Sequence, residues 1–194
     1  MLNLKKIEWL GTEWSPIPKD KKPKGQNENI ASLRFIKEEV ERLKTLSKTL
    51  SINDLYEATK IMNRTIRRAQ ELGKKIQGTQ YIENFAENKK RTNEHVIPQN
   101  LLTDAYKENH ISFEQMVSMP LVDLSEASDV LLLEAGLQNI NSDWLYPFKR
   151  YKQAGIEENI TLPSGKIIKF NKWSLKDHFR VYPIIKLWKI INNK

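Results

Sequence analysis

The sequence predicts an α+β fold that is mostly helical. Apolar residues recur at three- and four-residue steps in the first half of the chain, and short apolar stretches beside proline or glycine follow in the second half. Cysteine is absent, which excludes disulfides, thiolate zinc sites and cysteine nucleophiles. We divide the chain into four segments: residues 1–30, 31–88, 89–158 and 159–194.

Residues 1–30 are predicted to form a flexible basic arm. Residues 14–29 contain three prolines, a lysine cluster and Gly25, a composition that is typical of irregular chain. The N-terminal residues 1–6 lack the apolar core of a signal peptide, and no stretch of the chain approaches the length of a membrane span. We therefore expect a soluble, cytoplasmic protein without a membrane partner.

Residues 31–88 are predicted to contain a helical hairpin. The first helix has a regular apolar face, formed by Leu33, Ile36, Val40 and Leu43. The second begins at Ser51, which precedes Asp54 at capping-box spacing, and is expected to stop at Gly73.

Basic residues are concentrated on this second helix and just after it. The formal net charge of the chain is +8, so a polyanion is a natural partner. The candidate nucleic-acid contacts are Arg64, Arg67, Arg68, Lys89, Lys90 and Arg91. A solvated basic face without a ligand remains the alternative for each of them.

Residues 89–158 combine strands with short helices. A strand is predicted around Val96 and Ile97 and ends at Pro98. Asn100 is expected to cap a helix that runs through Tyr106, and Ser112 with Gln115 to form a capping box.

A second strand is predicted at residues 120–124, followed by a helix from Ser125 to Gly136. In the last segment, Ile160–Leu162 and Ile167–Phe170 flank a turn and predict a hairpin. A terminal amphipathic segment, interrupted by Pro183, completes the chain.

His95 is the leading candidate among the three histidines, which also include His110 and His178. It follows Glu94, precedes an apolar pair and a proline, and lies just after a basic run. Hydrolysis of a phosphodiester needs a base and a cation that neutralises charge on the phosphate oxygens. Asp129, in the first turn of its helix, suits a hard cation such as Mg²⁺, although an acidic residue there also complements the helix dipole.

Three separate stretches carry a resemblance to a known family. They are Glu94-His95-Val96-Ile97-Pro98 followed by Leu101-Leu102, Leu124-Ser125-Glu126-Ala127-Ser128-Asp129 with Leu131, and the segment 147–156. In this order they resemble the HNH (His-Me finger) endonuclease domains of bacteria and phage. The resemblance covers residues 92–156, about a third of the chain.

The resemblance implies a ββα-metal core between the helical hairpin and the C-terminal hairpin and helix. It implies His95 as general base, Glu94 as a metal ligand or as the residue that orients the histidine, and Asp129 as a metal ligand. Arg150, with Tyr151, would contact a phosphate. The sequence departs from the family pattern in two ways: the helix lacks the usual Asn and His, and the insertion between the strands is long. Asn139 and Asn141 are available as substitute metal ligands.

The expected function is therefore that of a Mg²⁺- or Mn²⁺-dependent endonuclease acting on DNA, and less readily on RNA. The alternatives are a non-catalytic nucleic-acid-binding protein and an interaction factor of a phage or mobile element. An inhibitor or immunity protein and a second copy in a homodimer are further candidate partners.

Overall fold

The fold of the chain is α+β and mostly helical, as predicted. The computed structural model describes residues 25–78, 80–84, 91–140 and 143–192, together with the backbone of two short strands, β1 (Ile7–Trp9) and β2 (Thr12–Trp14). The described helices are α1 (Gln26–Leu46), α2 (Ile52–Gln77), α3 (Gln99–Lys107), α4 (Phe113–Val117), α5 (Glu126–Glu134), α6 (Lys149–Gln153), α7 (Leu175–Val181) and α8 (Ile184–Ile191). The other strands are β3 (Gln80–Glu83), β4 (Arg91–His95), β5 (Leu121–Ser125) and β6 (Ile160–Thr161).

Four of the strands form a mixed sheet in the order β4-β5-β3-β6. Strand β4 pairs antiparallel with β5, in a register that places His95 opposite Leu121, and helix α5 follows β5 directly. Strand β3 runs parallel to β5 and antiparallel to β6. This central strand lies in a polar stretch that the sequence did not identify as a strand.

Helices α1 and α2 pack against each other, which confirms the predicted hairpin. Ser51 caps α2 by accepting a hydrogen bond from the amide of Asp54. The expected stop at Gly73 is wrong, because α2 continues to Gln77 and ends at Gly78, whose φ of 67° is left-handed. Gly73 instead permits a close approach: a Cβ there would lie 2.4 Å from Cγ1 of Val117 on α4.

Several predicted boundaries in the middle of the chain shift by a few residues. Strand β4 ends at His95 rather than at Pro98, and Pro98 itself is the N-cap of α3, so Asn100 lies inside the helix. The capping box of Ser112 and Gln115 is present. The predicted helix after Ser125 is confirmed as α5.

The hydrophobic core has two parts that do not follow the predicted segments. One part joins α1 and α2 to α3, α4 and α8, and the other lies between the sheet, α5 and α6. The expected C-terminal hairpin is reduced to β6 and a single bridge between Thr161 and Ile167. Pro183 separates α7 from α8, as the sequence predicted.

Some predictions concern residues that are outside the described part of the chain. They are Lys89, Lys90, Asn141 and most of the basic arm. The end of the predicted arm, from Gln26 to Ile30, is helical because α1 begins there. Among the described residues, no helix combines the length and the apolar character that crossing a bilayer requires.

Candidate active site

A cavity of about 400 Å³ opens where the end of β4 meets the start of α5 and the flank of α2. Glu94, His95 and Asp129 all line it. The structure therefore brings together the predicted base and both predicted metal ligands, although 34 residues separate His95 from Asp129 in the sequence. The cavity lies within the usual size range of small-ligand sites.

Pairing of the two strands and the start of α5 fix the positions of these side chains. The antiparallel register sets Glu94 opposite Val122 on β5. Ser125 ends β5 and caps α5, which places Asp129 in the first turn of the helix. Buried Glu83 on β3 holds this junction, because its carboxylate accepts hydrogen bonds from the Ser125 amide at 2.7 Å and from the Ser128 hydroxyl at 2.6 Å.

His95 is a neutral imidazole with a free nitrogen. The residue is only 4% exposed, and its Nε2 is buried without a hydrogen-bond partner among the described residues. Burial, together with the positive charges of Arg67 and Arg150, lowers the pKa of His95 to about 4. A neutral imidazole beside a polar cavity can accept a proton from a bound group once that group reaches its buried nitrogen.

Glu94 is held by the guanidinium of Arg150. The Nη2 atom of Arg150 donates at 2.5 Å to the Glu94 carboxylate and at 2.5 Å to the carbonyl of His95. Its Nη1 atom donates to the carbonyls of Leu137 at 2.8 Å and Gln138 at 3.2 Å. Arg150 thus joins the end of β4 to the segment after α5, and both form walls of the cavity.

The expected phosphate contacts of Arg150 and Tyr151 are not available in this structure. Arg150 is 1% exposed and does not line the cavity, and Tyr151 is fully buried in the core beside the sheet. The sequence showed a basic aromatic segment, which is usually surface, but the hydrogen bonds to Glu94 and to three carbonyls hold this guanidinium inside.

Arg67 supplies the exposed positive charge of the cavity. It lies on α2, lines the cavity and is close enough to His95 to lower the pKa of the imidazole. Arg64 and Arg68, predicted with it, line a separate groove between α1 and α2. Arg91 is exposed at the start of β4, opposite Ser125.

Sequence reasoning missed most of the amide side chains of the cavity. They come from four different elements or loops and comprise Asn63, Asn93, Gln99, Asn100 and Gln138; Asn139, considered as a substitute ligand, also lines the cavity. The spacing of Asn63 and Arg67 already placed them on one face of α2, but no local signal showed that this face looks towards His95.

The other two histidines lie elsewhere. His110 has a side chain that is 71% exposed and lies 3.4 Å from Glu108. His178 is completely buried, where its Nδ1 meets the hydroxyl of Tyr81 and its Nε2 the carbonyl of Ser118. Neither lines the cavity.

Glu94 and Asp129 are the two acidic residues that line the cavity, and they are the groups that would hold a divalent ion there. Burial raises the pKa of Glu94, and the negative charge of Asp129 adds to the rise while Arg150 opposes it. A cation between the two carboxylates would relieve this repulsion. In the described part of the chain, no group of three or more His, Asp or Glu side chains is placed to hold a metal ion, so an ion here would depend on two carboxylates with water and phosphate oxygens.

Comparisons with protein-family models, with curated proteins and with solved structures found no match to this chain. The proposed function therefore rests on the arrangement of the cavity.

Proposed function

We propose that the protein is a metal-dependent endonuclease of the HNH type, which hydrolyses DNA, and less readily RNA, in the cavity at His95. One observation supports the proposal: His95, whose buried Nε2 has no hydrogen-bond partner, is a residue of the polar cavity that two carboxylates and Arg67 also line. A base, an anionic site for a cation and a phosphate-binding cation are the parts that phosphodiester hydrolysis requires.

Each side chain has a distinct task in this proposal. His95 takes a proton from the attacking water as the new oxygen–phosphorus bond forms and the bond to the leaving oxygen breaks. Arg67 binds the phosphate, because its guanidinium is exposed at the cavity and suits a bidentate phosphate contact. Glu94 and Asp129 would hold Mg²⁺ or Mn²⁺, which supplies neutralisation of the charge that develops on the phosphate oxygens.

The test is cleavage of DNA and RNA by the purified protein with Mg²⁺ or Mn²⁺, compared with the same reaction in EDTA. We expect His95→Ala to lower the cleavage rate by about 100-fold or more, because general base catalysis typically contributes that much. His110→Ala is the matched control, since it removes an exposed histidine outside the cavity. His95→Gln, which fills more of the buried space, separates loss of the base from loss of folding.

A non-catalytic nucleic-acid-binding protein is the second candidate. Two observations favour it. The described residues include no group of three His, Asp or Glu side chains that could hold a metal ion, and His95 is almost wholly buried. It predicts salt-dependent binding of DNA that His95→Ala does not change, and no cleavage with either ion. Absence of binding at moderate salt would instead favour the interaction factor.

A further inference from the structure

A second surface of α2 has the chemistry of a polynucleotide contact. The groove between α1 and α2 encloses about 610 Å³, and its lining includes Phe35 from α1 with Arg64 and Arg68 from α2. Phe35 is 68% exposed, which is unusual for a phenylalanine in the middle of a long helix. The groove thus combines an open aromatic ring with two guanidinium groups.

The positive charge of this groove is not balanced locally. Among the described residues, no acidic side chain forms an ion pair with Arg64 or Arg68. The acidic residue of the groove, Glu39, is already paired with Arg42 at 2.8 Å. Two arginines that form no ion pair with a described residue, beside an exposed ring, are complementary to an anion that carries flat apolar groups.

The groove adjoins the candidate active site through α2. Arg64 and Arg68 are four residues apart and share one face of the helix, while Asn63 and Arg67 share the next face and line the cavity at His95. Arg67 of the cavity and Arg68 of the groove are therefore consecutive residues on neighbouring faces of α2.

We propose that this groove, defined by Phe35, Arg64 and Arg68, binds single-stranded DNA. A base stacks on Phe35, and the flanking phosphates contact the two arginines. In a duplex the bases are paired and stacked on each other, so their faces are not free to cover Phe35. Ala31 and Phe35 give the groove an apolar wall against which a deoxyribose can pack.

This inference rests on the proposed function only in taking a polynucleotide as the substrate, and binding is measured without divalent ions to keep the two apart. A labelled single-stranded oligodeoxynucleotide is titrated with the full chain in EDTA, and its fluorescence anisotropy gives the dissociation constant. The same sequence as RNA and as duplex DNA provides the comparison arms.

Phe35→Ala is expected to weaken binding of the single strand by about 5- to 150-fold, which is the usual range for loss of one stacked base. Tyr56→Ala is the matched control, because Tyr56 is an exposed aromatic residue of α2, 63% exposed, that does not line the groove. Circular dichroism confirms that both variants fold.

Arg64→Gln with Arg68→Gln is expected to reduce the slope of log affinity against log salt by about 1.4, since each phosphate contact to a single strand contributes about 0.7. Arg180→Gln is the charge control, because Arg180 is exposed and already paired with Asp177. Equal effects of the groove variants and their controls would overturn the proposal, as would duplex DNA or RNA binding as tightly as single-stranded DNA.

The outcomes separate this inference from the catalytic one. Groove-dependent binding of single-stranded DNA by a protein that does not cleave it supports the groove and contradicts the nuclease. Cleavage that depends on His95, with unchanged affinity in Phe35→Ala, supports the nuclease and contradicts the groove.

Discussion

Replacement of Arg150 by methionine tests the internal scaffold of the candidate site. The change keeps an unbranched apolar stem but removes the ion pair with Glu94 and the donors to three carbonyls, those of His95, Leu137 and Gln138. The Glu94 carboxylate would be left mostly buried without its counter-charge, since only 15% of that side chain is exposed.

The expected loss of unfolding free energy is about 4 kcal/mol. Removal of one partner from a buried ion pair typically costs about 3–5 kcal/mol, because the other charge stays desolvated. Each kcal/mol shifts the Tm of a domain of this size by roughly 2–4 °C, so the Tm should fall by about 8–16 °C. Lys149→Met is the matched control: its ion pair with Asp143 is partly exposed and should be worth no more than about 1 kcal/mol.

Urea denaturation followed by circular dichroism measures both variants and the double variant Arg150→Met with Glu94→Gln. The double variant should lose less unfolding free energy than the two single variants lose together. The reason is that the neutral amide no longer needs a counter-charge. A cost below about 1 kcal/mol for Arg150→Met, or strict additivity in the double variant, would refute the role of Arg150 as the group that holds Glu94.

Two further predictions concern packing and pH. Gly73→Ala should lower the unfolding free energy by about 1–3 kcal/mol, because the new methyl group meets Val117. In a thermal melt, adding Val117→Ala should restore part of that loss. A Gly73→Ala variant as stable as the wild type would contradict the close approach. Burial lowers the pKa of His178 to about 4, so above pH 6.5 both folded and unfolded states hold it neutral, while at lower pH the unfolded state gains a proton first. His178 alone should therefore lower the stability by about 2 kcal/mol between pH 6.5 and pH 5, and His95, whose pKa is also lowered to about 4, should add to the fall. The fall should be smaller in His178→Gln, and an equal fall in that variant would contradict it.

The fold was predictable where its signals are local. The apolar spacing from Leu33 to Leu43 and the caps at Ser51 and Ser112 depend on neighbouring residues, and the structure has the corresponding helices. Strand β3 is a different case, because four residues of mixed polarity become a central strand only through pairing with β5 and β6. The continuation of α2 through Gly73 likewise depends on a distant partner, Val117.

The candidate site divides in the same way. The resemblance singled out Glu94, His95 and Asp129, and the structure places all three at one cavity. The positions of Arg150 and Arg67 were not predictable from composition, since both are arginines in basic stretches. Arg150 is buried because it binds Glu94, which is 56 positions away in the sequence. Arg67 lines the cavity because its face of α2 borders it.

The central claim is that Glu94, His95 and Asp129 serve one metal-dependent centre. The most direct test is the Mn²⁺ concentration that gives half-maximal DNA cleavage. It is measured for the wild type, for Asp129→Asn and for the control Asp104→Asn on α3. We expect this concentration to rise by about ten-fold or more in Asp129→Asn and to stay unchanged in Asp104→Asn, because the Asp104 side chain is 59% exposed and outside the cavity. Cleavage with the same Mn²⁺ dependence in all three proteins, or no cleavage by the wild type at any Mn²⁺ concentration, would contradict it.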